Sequence, residues 1–292
     1  YGERIVMRLL DKANVMLTLN SLGLSNQNSA VVNKIIRKSH GIILVTGPTG
    51  SGKTTTLYAC LQSINSVDKN ILTVEDPIEY ELGGIGQMQV NPKINFTFAN
   101  GLRSILRQDP DVIMVGEIRD LDTVEVAIQA SLTGHLVFST LHTNDAPGAI
   151  TRLLDMGVEP FLISSSLLVV VAQRLVRKLC PKCKEGYKLS TEQLRELTLP
   201  ESQWGERRAY RASDHGCAAC QLTGYKGRTI ISEILLIDDP VRSQIMKRAD
   251  ASTIRATSLG LQSLRRDGAE KVLAGETSFE EVIRVTHEDL VN

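Results

Sequence analysis

Residues 47–54 read Gly-Pro-Thr-Gly-Ser-Gly-Lys-Thr, which meets G-x-x-x-x-G-K-[ST] at every fixed position. Three glycines let consecutive backbone N–H groups close around phosphate oxygens, and a helix starting at Lys53 adds the positive end of its dipole. Such a loop works only between a strand and a helix. The apolar run 42–46 before it and the helical pattern resuming at Lys53 supply both. Gly47, Pro48, Thr49, Gly50, Ser51, Gly52, Lys53, Thr54 and the adjoining Thr55 are therefore the phosphate-binding candidates. Lys53 is expected to reach the β- and γ-phosphates of a nucleoside triphosphate, and the Thr54 hydroxyl to hold Mg²⁺.

Three further apolar runs, 71–75, 112–115 and 136–140, alternate with helical patterns. That alternation predicts an α/β fold with a mainly parallel sheet. A strand is expected at 5–10, a linker at 20–28, and then a helix with Val31, Val32, Ile35 and Ile36 on one face. The most apolar segment, 161–172, is 12 residues long and ends at Gln173 and Arg174. Crossing a bilayer takes about 20 residues, so this segment is expected to be a buried core helix. From 180 to 220 the sequence turns polar and irregular; an apolar run at 229–237 and several short helices follow. The expected divisions are 1–28 as the end of a preceding domain and linker, 29–179 as the nucleotide-binding core, 180–220 as an insert, and 221–292 as a strand with helices. A start at Tyr1 with no initiator Met or signal peptide reads as a piece of a longer protein.

Two carboxylate clusters lie downstream of the loop. Asp111-Val-Ile-Met-Val-Gly116-Glu117 is an apolar strand closing in an acid, which can hold Mg²⁺ through water or orient an attacking water. Glu117 is the candidate general base or water-positioning residue. Glu75-Asp76-Pro77-Ile78-Glu79 ends a second apolar run. Glu75 and Glu79 are candidate cofactor-binding acids, with a simple Asp-Pro turn as the alternative. His135 and His142 flank the run 136–140. A histidine after a strand beside the phosphate loop can donate to a γ-phosphate and report its presence, a role assigned first to His142 and then to His135.

Cys180-Pro-Lys-Cys183 and Cys217-Ala-Ala-Cys220 are two C-x₂-C pairs with 33 residues between them. Each can present two thiolates to one tetrahedral Zn²⁺, and four such ligands leave no open position, so the expected zinc is structural. Two disulfides, or four unrelated thiols, are the alternatives. Cys60, in the helix after the loop, is expected in the core.

The 33 basic residues cancel the 33 acidic ones. A balanced chain gives no electrostatic footprint for nucleic acid, which usually needs a basic face, so no nucleic-acid partner is expected; a basic stripe would be the mark of a nucleic-acid translocase.

Taken in order, GPTGSGKTTTLYA at 47–59, ILTVEDPIEY at 71–80, GLRSILRQDPDVIMVGEIRD at 101–120 and TGHLVFSTLHTNDA at 133–146 resemble the Walker A, Asp box, Walker B and His box of secretion ATPases. These motors drive type II secretion, type IV pili and type IV secretion. The opening GERIVMRLLDK at 2–12 and the four cysteines look most like the type II secretion ATPase; the extension ATPase of type IV pili shares boxes and cysteines and is the alternative. The resemblance implies a RecA-like P-loop core hydrolysing ATP in a homo-hexamer. It also implies arginines that complete each site between segments, at positions matching Arg8, Arg103, Arg107, Arg119 and Arg228. It further implies a cytoplasmic location, peripheral on the inner membrane, where upstream domains dock on a membrane-anchored protein of the secretion platform.

Overall fold

The computed structural model describes residues 2–5, 18–200, 202 and 207–286. The strand expected at 5–10 lies outside the described residues except for Ile5, which is not in a strand, and Arg8 also lies outside them.

The chain enters through a short 3₁₀ turn, Leu19–Ser21, into α1 (Asn26–Ile35), capped by the Ser25 hydroxyl, which accepts from the Asn28 amide at 3.1 Å. There follow β1 (Gly41–Thr46), α2 (Lys53–Ile64), β2 (Ile71–Glu75), β3 (Gly86–Gln89), α3 (Phe98–Ile105), β4 (Val112–Val115), α4 (Leu121–Leu132), β5 (Leu136–Leu141), α5 (Ala146–Asp155), α6 (Pro160–Ser166) and β6 (Leu167–Leu179). The remainder comprises β7 (Glu185–Lys188), α7 (Thr191–Glu196), β8 (Arg208–Arg211), β9 (Tyr225–Leu236), α8 (Asp239–Met246), α9 (Ala251–Thr257), α10 (Leu264–Leu273) and α11 (Phe279–Thr286).

Seven strands form one sheet in the order β3-β2-β4-β5-β1-β6-β9, parallel throughout except where β9 returns antiparallel to β6. Alternation along each strand feeds two separate cores, one on each face. Ile42 and Leu44 pack with α3, α4, α5 and α6. Ile43 and Val45 face the other way, against α1 and α2. With both faces covered, β1, β4 and β5 are buried along their whole length.

Segment 161–172 departs from expectation. The helix ends at Ser166, and the rest belongs to β6, a 13-residue strand. Val169-Val170-Val171 is β-branched and stiff, and Val169 and Val171 fill one core while Val170 fills the other. A strand buried on both faces has no polar alternation, so its run looks the same as a buried helix.

The polar stretch 180–220 also holds more structure than its composition suggests. A β7–β8 hairpin and α7 carry Leu189, Leu194, Leu197, Leu199 and Ala209 into a third cluster with Ala269, Val272 and Val282 of α10 and α11. No helix among the described residues is long and apolar enough to cross a membrane.

Candidate functional site: a phosphate cradle at the strand ends and a four-thiol cluster

In a parallel sheet, all C-terminal strand ends point to one edge, and the crevice there is where ligands bind. The phosphate loop follows β1, Glu75 ends β2, Glu117 follows β4 and His142 follows β5. The fold thus brings four separate sequence segments to one cleft of about 1110 Å³, lined by residues 49–57, Glu75, Glu79, Glu117, Arg119, His142 and Arg228 among others.

The loop itself fits an anion. Gly47, Gly50 and Gly52 have φ of +148°, +79° and +88°, a region open to glycine and strained for other residues. Helices α3, α4, α5, α8, α9 and α10 all begin with a side chain accepting from the first-turn amides. Helix α2 begins at Gly52 with no such side chain, so its first amides face the cleft. The Ser51 hydroxyl is buried without a hydrogen-bond partner. Lys53 Nζ curls over the loop and donates to the Gly47 and Pro48 carbonyls at 2.8 and 3.2 Å. Burial lowers the Lys53 pKa; Glu117 opposes that shift, and Arg174 adds to it.

Opposite the lysine, Glu117 is mostly buried. One of its oxygens lies 3.0 Å from His142 Nε2, and the other accepts from Arg119 at 2.9 Å. Arg119 also faces Asp76 at 3.9 Å and lies over the Phe98 ring at 5.9 Å. Glu117, His142 and Arg119 therefore form one contiguous cluster across the cleft from Lys53.

Glu75 is placed differently. It is buried to 1%, and both oxygens are engaged by neutral donors: Tyr58 on one, Thr73 at 2.5 Å and Gln87 at 3.0 Å on the other. Its carboxylate is thus bonded to its own walls, while Glu79 sits at the rim. Burial, and then the hydrogen bond to Glu75, raise the Tyr58 pKa well above the usual phenol range.

Of the remaining candidates, His135 precedes β5, at the far end of the strand from His142, and its Nδ1 lies 2.8 Å from the Ala130 carbonyl. That places it outside the cleft, against the expectation of a phosphate contact within one chain. Arg103 pairs with Asp122, and Arg107 is exposed on the turn after α3; neither lines the cleft, while Arg119 and Arg228 do.

Sequence reasoning missed Gln173, taking it only as the end of an apolar run. It is fully buried in β6 and bonded to the phosphate loop. A polar residue inside a long apolar run was the available signal, since a buried amide needs partners.

Just past the end of β6, Cys180, Cys183, Cys217 and Cys220 place their sulfurs within 4.8 Å of one another. The closest pairs are 3.7 to 3.8 Å apart. A disulfide requires about 2.05 Å, so these are free thiols. A tetrahedron of sulfurs about 2.3 Å from a central Zn²⁺ has edges of about 3.8 Å, which is the spacing found. Burial works against ionising Cys220, yet amides of Cys217 and Gly224 donate to its sulfur at 3.2 and 3.3 Å and draw its pKa down, while burial and the neighbouring thiols push that of Cys183 up. The four sulfurs are thus spaced to hold one metal ion. Cys60 is elsewhere, buried in the core, with burial pushing its thiol up to about 12.

The family model described as "Type II/IV secretion system protein" matches residues 1–284. The chain belongs to that family. This family member is 60% identical over 290 residues to a type II secretion system protein E of Aeromonas hydrophila, across 99% of this chain and 57% of the relative. It is 59% identical to the type II secretion system ATPase E of Vibrio cholerae, with the same coverage. The chain thus spans a little over half the length of these curated relatives. Among solved structures, the pilus retraction motor PilT with bound ADP superposes with a TM-score of 0.68 at 29% identity, over 94% of this chain and 67% of PilT. The Legionella pneumophila ATPase DotB gives 0.65 at 25%, over 93% and 66%.

Proposed function

We propose that this secretion-family chain is the ATP-hydrolysing part of a type II secretion motor. The observation that carries the reading is the cleft, where a phosphate loop on β1 and the Glu117–His142–Arg119 cluster on β4 and β5 face each other. Identity of 59–60% to type II secretion relatives, against 29% to a pilus retraction motor, supports secretion over pilus retraction.

In this reading, the amides of residues 49–54 and the Lys53 ammonium hold the β- and γ-phosphates, so charge is bound by groups already in place. Thr54 is the hydroxyl that would hold Mg²⁺. Bound there, Mg²⁺ would supply positive charge that offsets the charge of the phosphates. Glu117 faces the cleft from the end of β4 and orients the attacking water. His142, beside it, keeps the carboxylate in register and senses the γ-phosphate. Glu75 shapes the floor through Tyr58, Thr73 and Gln87 rather than offering a free oxygen.

The finer assignments follow as parts of the same proposal. Arg119 and Arg228 line the cleft, while Arg103 and Arg107 are exposed outside it, a division that suits a site completed by a neighbouring copy in a homo-hexamer. The four thiols hold a structural Zn²⁺. Partners at the membrane, an inner-membrane platform and a membrane-anchored docking protein, would be engaged by parts of the protein beyond this chain, giving a peripheral cytoplasmic location. The division at 28, 179 and 220 is kept as a functional one, although β9 joins the core sheet.

The test is ATP turnover per chain as a function of protein concentration. Turnover that rises with assembly, and is not stimulated by DNA, is expected. Full activity in a monomer measured by light scattering would overturn the hexamer, and stimulation by DNA would favour a nucleic-acid translocase.

A further inference from the structure

Strand β1 stops at Thr46, opposite Ala172 of β6, so the next residue of β6, Gln173, lies level with Gly47, where the phosphate loop begins. A Cβ on Gly47 would come within 2.5 Å of the Gln173 carbonyl, and one on Gly52 within 3.3 Å of its Nε2. Both bounding glycines of the loop therefore abut this one residue. Its side chain is fully buried and bonded through both its nitrogen and its oxygen. Nε2 donates to the Ser51 carbonyl at 2.8 Å, and Oε1 accepts from the Thr56 hydroxyl at 2.9 Å. The orientation is fixed by chemistry, because a carbonyl only accepts and so the amide nitrogen must face Ser51.

The consequence concerns the sign of the loop's field. A phosphate cradle requires N–H groups turned inward and carbonyls turned out, and a carbonyl left facing the ligand would repel it. Gln173 engages the loop carbonyl at Ser51 and, through Thr56, anchors the first turn of α2. We infer that Gln173 is a positioning residue for phosphate binding, holding the loop in its anion-accepting form before nucleotide arrives. This rests on the nucleotide reading above.

The experiment compares the full chain with Gln173→Met, which keeps bulk and removes both bonds, and Thr56→Val, which removes one. Affinity for Mg·ADP and hydrogen exchange of amides 47–54 and of β2 and β4 are measured on each. Gln173→Met is expected to weaken ADP at least tenfold and to speed exchange of the loop selectively, with strand amides unchanged. Thr56→Val, also the fallback should the first variant not fold, is expected to show the same pattern at about threefold. ADP affinity within twofold of wild type in the folded variants, or exchange faster everywhere alike, would overturn the inference. A wild-type chain that binds no ADP would instead overturn the nucleotide reading, with the loop's exchange still reporting on Gln173.

Discussion

Around the cleft, Glu75, Glu117 and His142 hang from the ends of the buried strands β2, β4 and β5, so packing of the whole sheet fixes their positions. The four thiols sit on two turns joined by a hairpin, a short helix and a small apolar cluster shared with α10 and α11. Further clasps fasten that second region from outside. Thr277 Oγ1 donates to the Arg177 carbonyl at 2.8 Å, Leu179 N donates to the Glu276 carbonyl at 2.8 Å, and Lys184 Nζ donates to the Gly275 carbonyl at 2.8 Å. The difference teaches that rigidity comes from different sources in the two halves. The cleft inherits it from the sheet, whereas the thiol region is held by a few leucines and the C-terminal helices, and by the proposed metal. Chemistry at one should therefore be separable from metal content at the other.

The largest expected effect sharpens the cleft side. Glu117→Gln removes the carboxylate's charge but keeps its shape, so ATP turnover should fall about a hundredfold or more while Mg·ATP still binds. Loss of nucleotide binding in that variant would give Glu117 a structural or metal-holding role instead.

Next comes the thiol side. Each chain should carry one Zn²⁺ by elemental analysis, and replacing Cys180 and Cys183 by Ser should abolish it. Proteolysis should then open residues 180–220, and the clasps should pass the loosening to α10 and α11. Nucleotide affinity should stay within about threefold. A tenfold loss of affinity would break the separation of the two regions.

A smaller effect tests whether the leucines matter beside the metal. Leu194→Ala deletes a side chain that is 3% exposed within the third cluster and should cost about 2–4 kcal/mol locally. Zinc-loaded protein whose thiol region is as protease-resistant as wild type would show that the metal alone suffices.

The smallest concerns acid. Glu281 is buried beneath Arg177 and Arg284; burial alone would raise its pKa, but hydrogen bonds from both arginines hold it down to about 2. A carboxylate with a depressed folded pKa stabilises above its unfolded value of about 4.3 and loses that contribution as pH falls toward 2. Docking of α11 on β6 should weaken across that window, and Glu281→Gln should flatten the dependence. An unchanged pH profile in the variant would remove Glu281 from the clasp.

Much of the cleft was legible because its chemistry is local. A strand, a glycine loop and a helix are one sequence motif, and β2 and β4 fall at Ile71–Glu75 and Val112–Val115, as the apolar runs indicated. Spacing alone also brought the four cysteines together. What stayed hidden depends on contacts distant in sequence. The run 161–172 could not be divided into α6 and β6, since both halves are buried and apolar. The partners of Glu75 come from α2, β2 and β3, and nothing in the run ending at Glu75 foretells them. Leu189, Leu194 and Leu197 are spaced too irregularly to announce a cluster whose other half lies some seventy residues on, at Ala269 and Val272.

Phosphate release by the wild-type chain and by Lys53→Ala, under the same assembly conditions, tests the reading of the cleft most directly. Lys53 places its ammonium on the loop, donating to the Gly47 and Pro48 carbonyls, so turnover should drop by about a hundredfold or more and ATP binding should weaken, with zinc content unchanged. Turnover in Lys53→Ala within about threefold of wild type would contradict it.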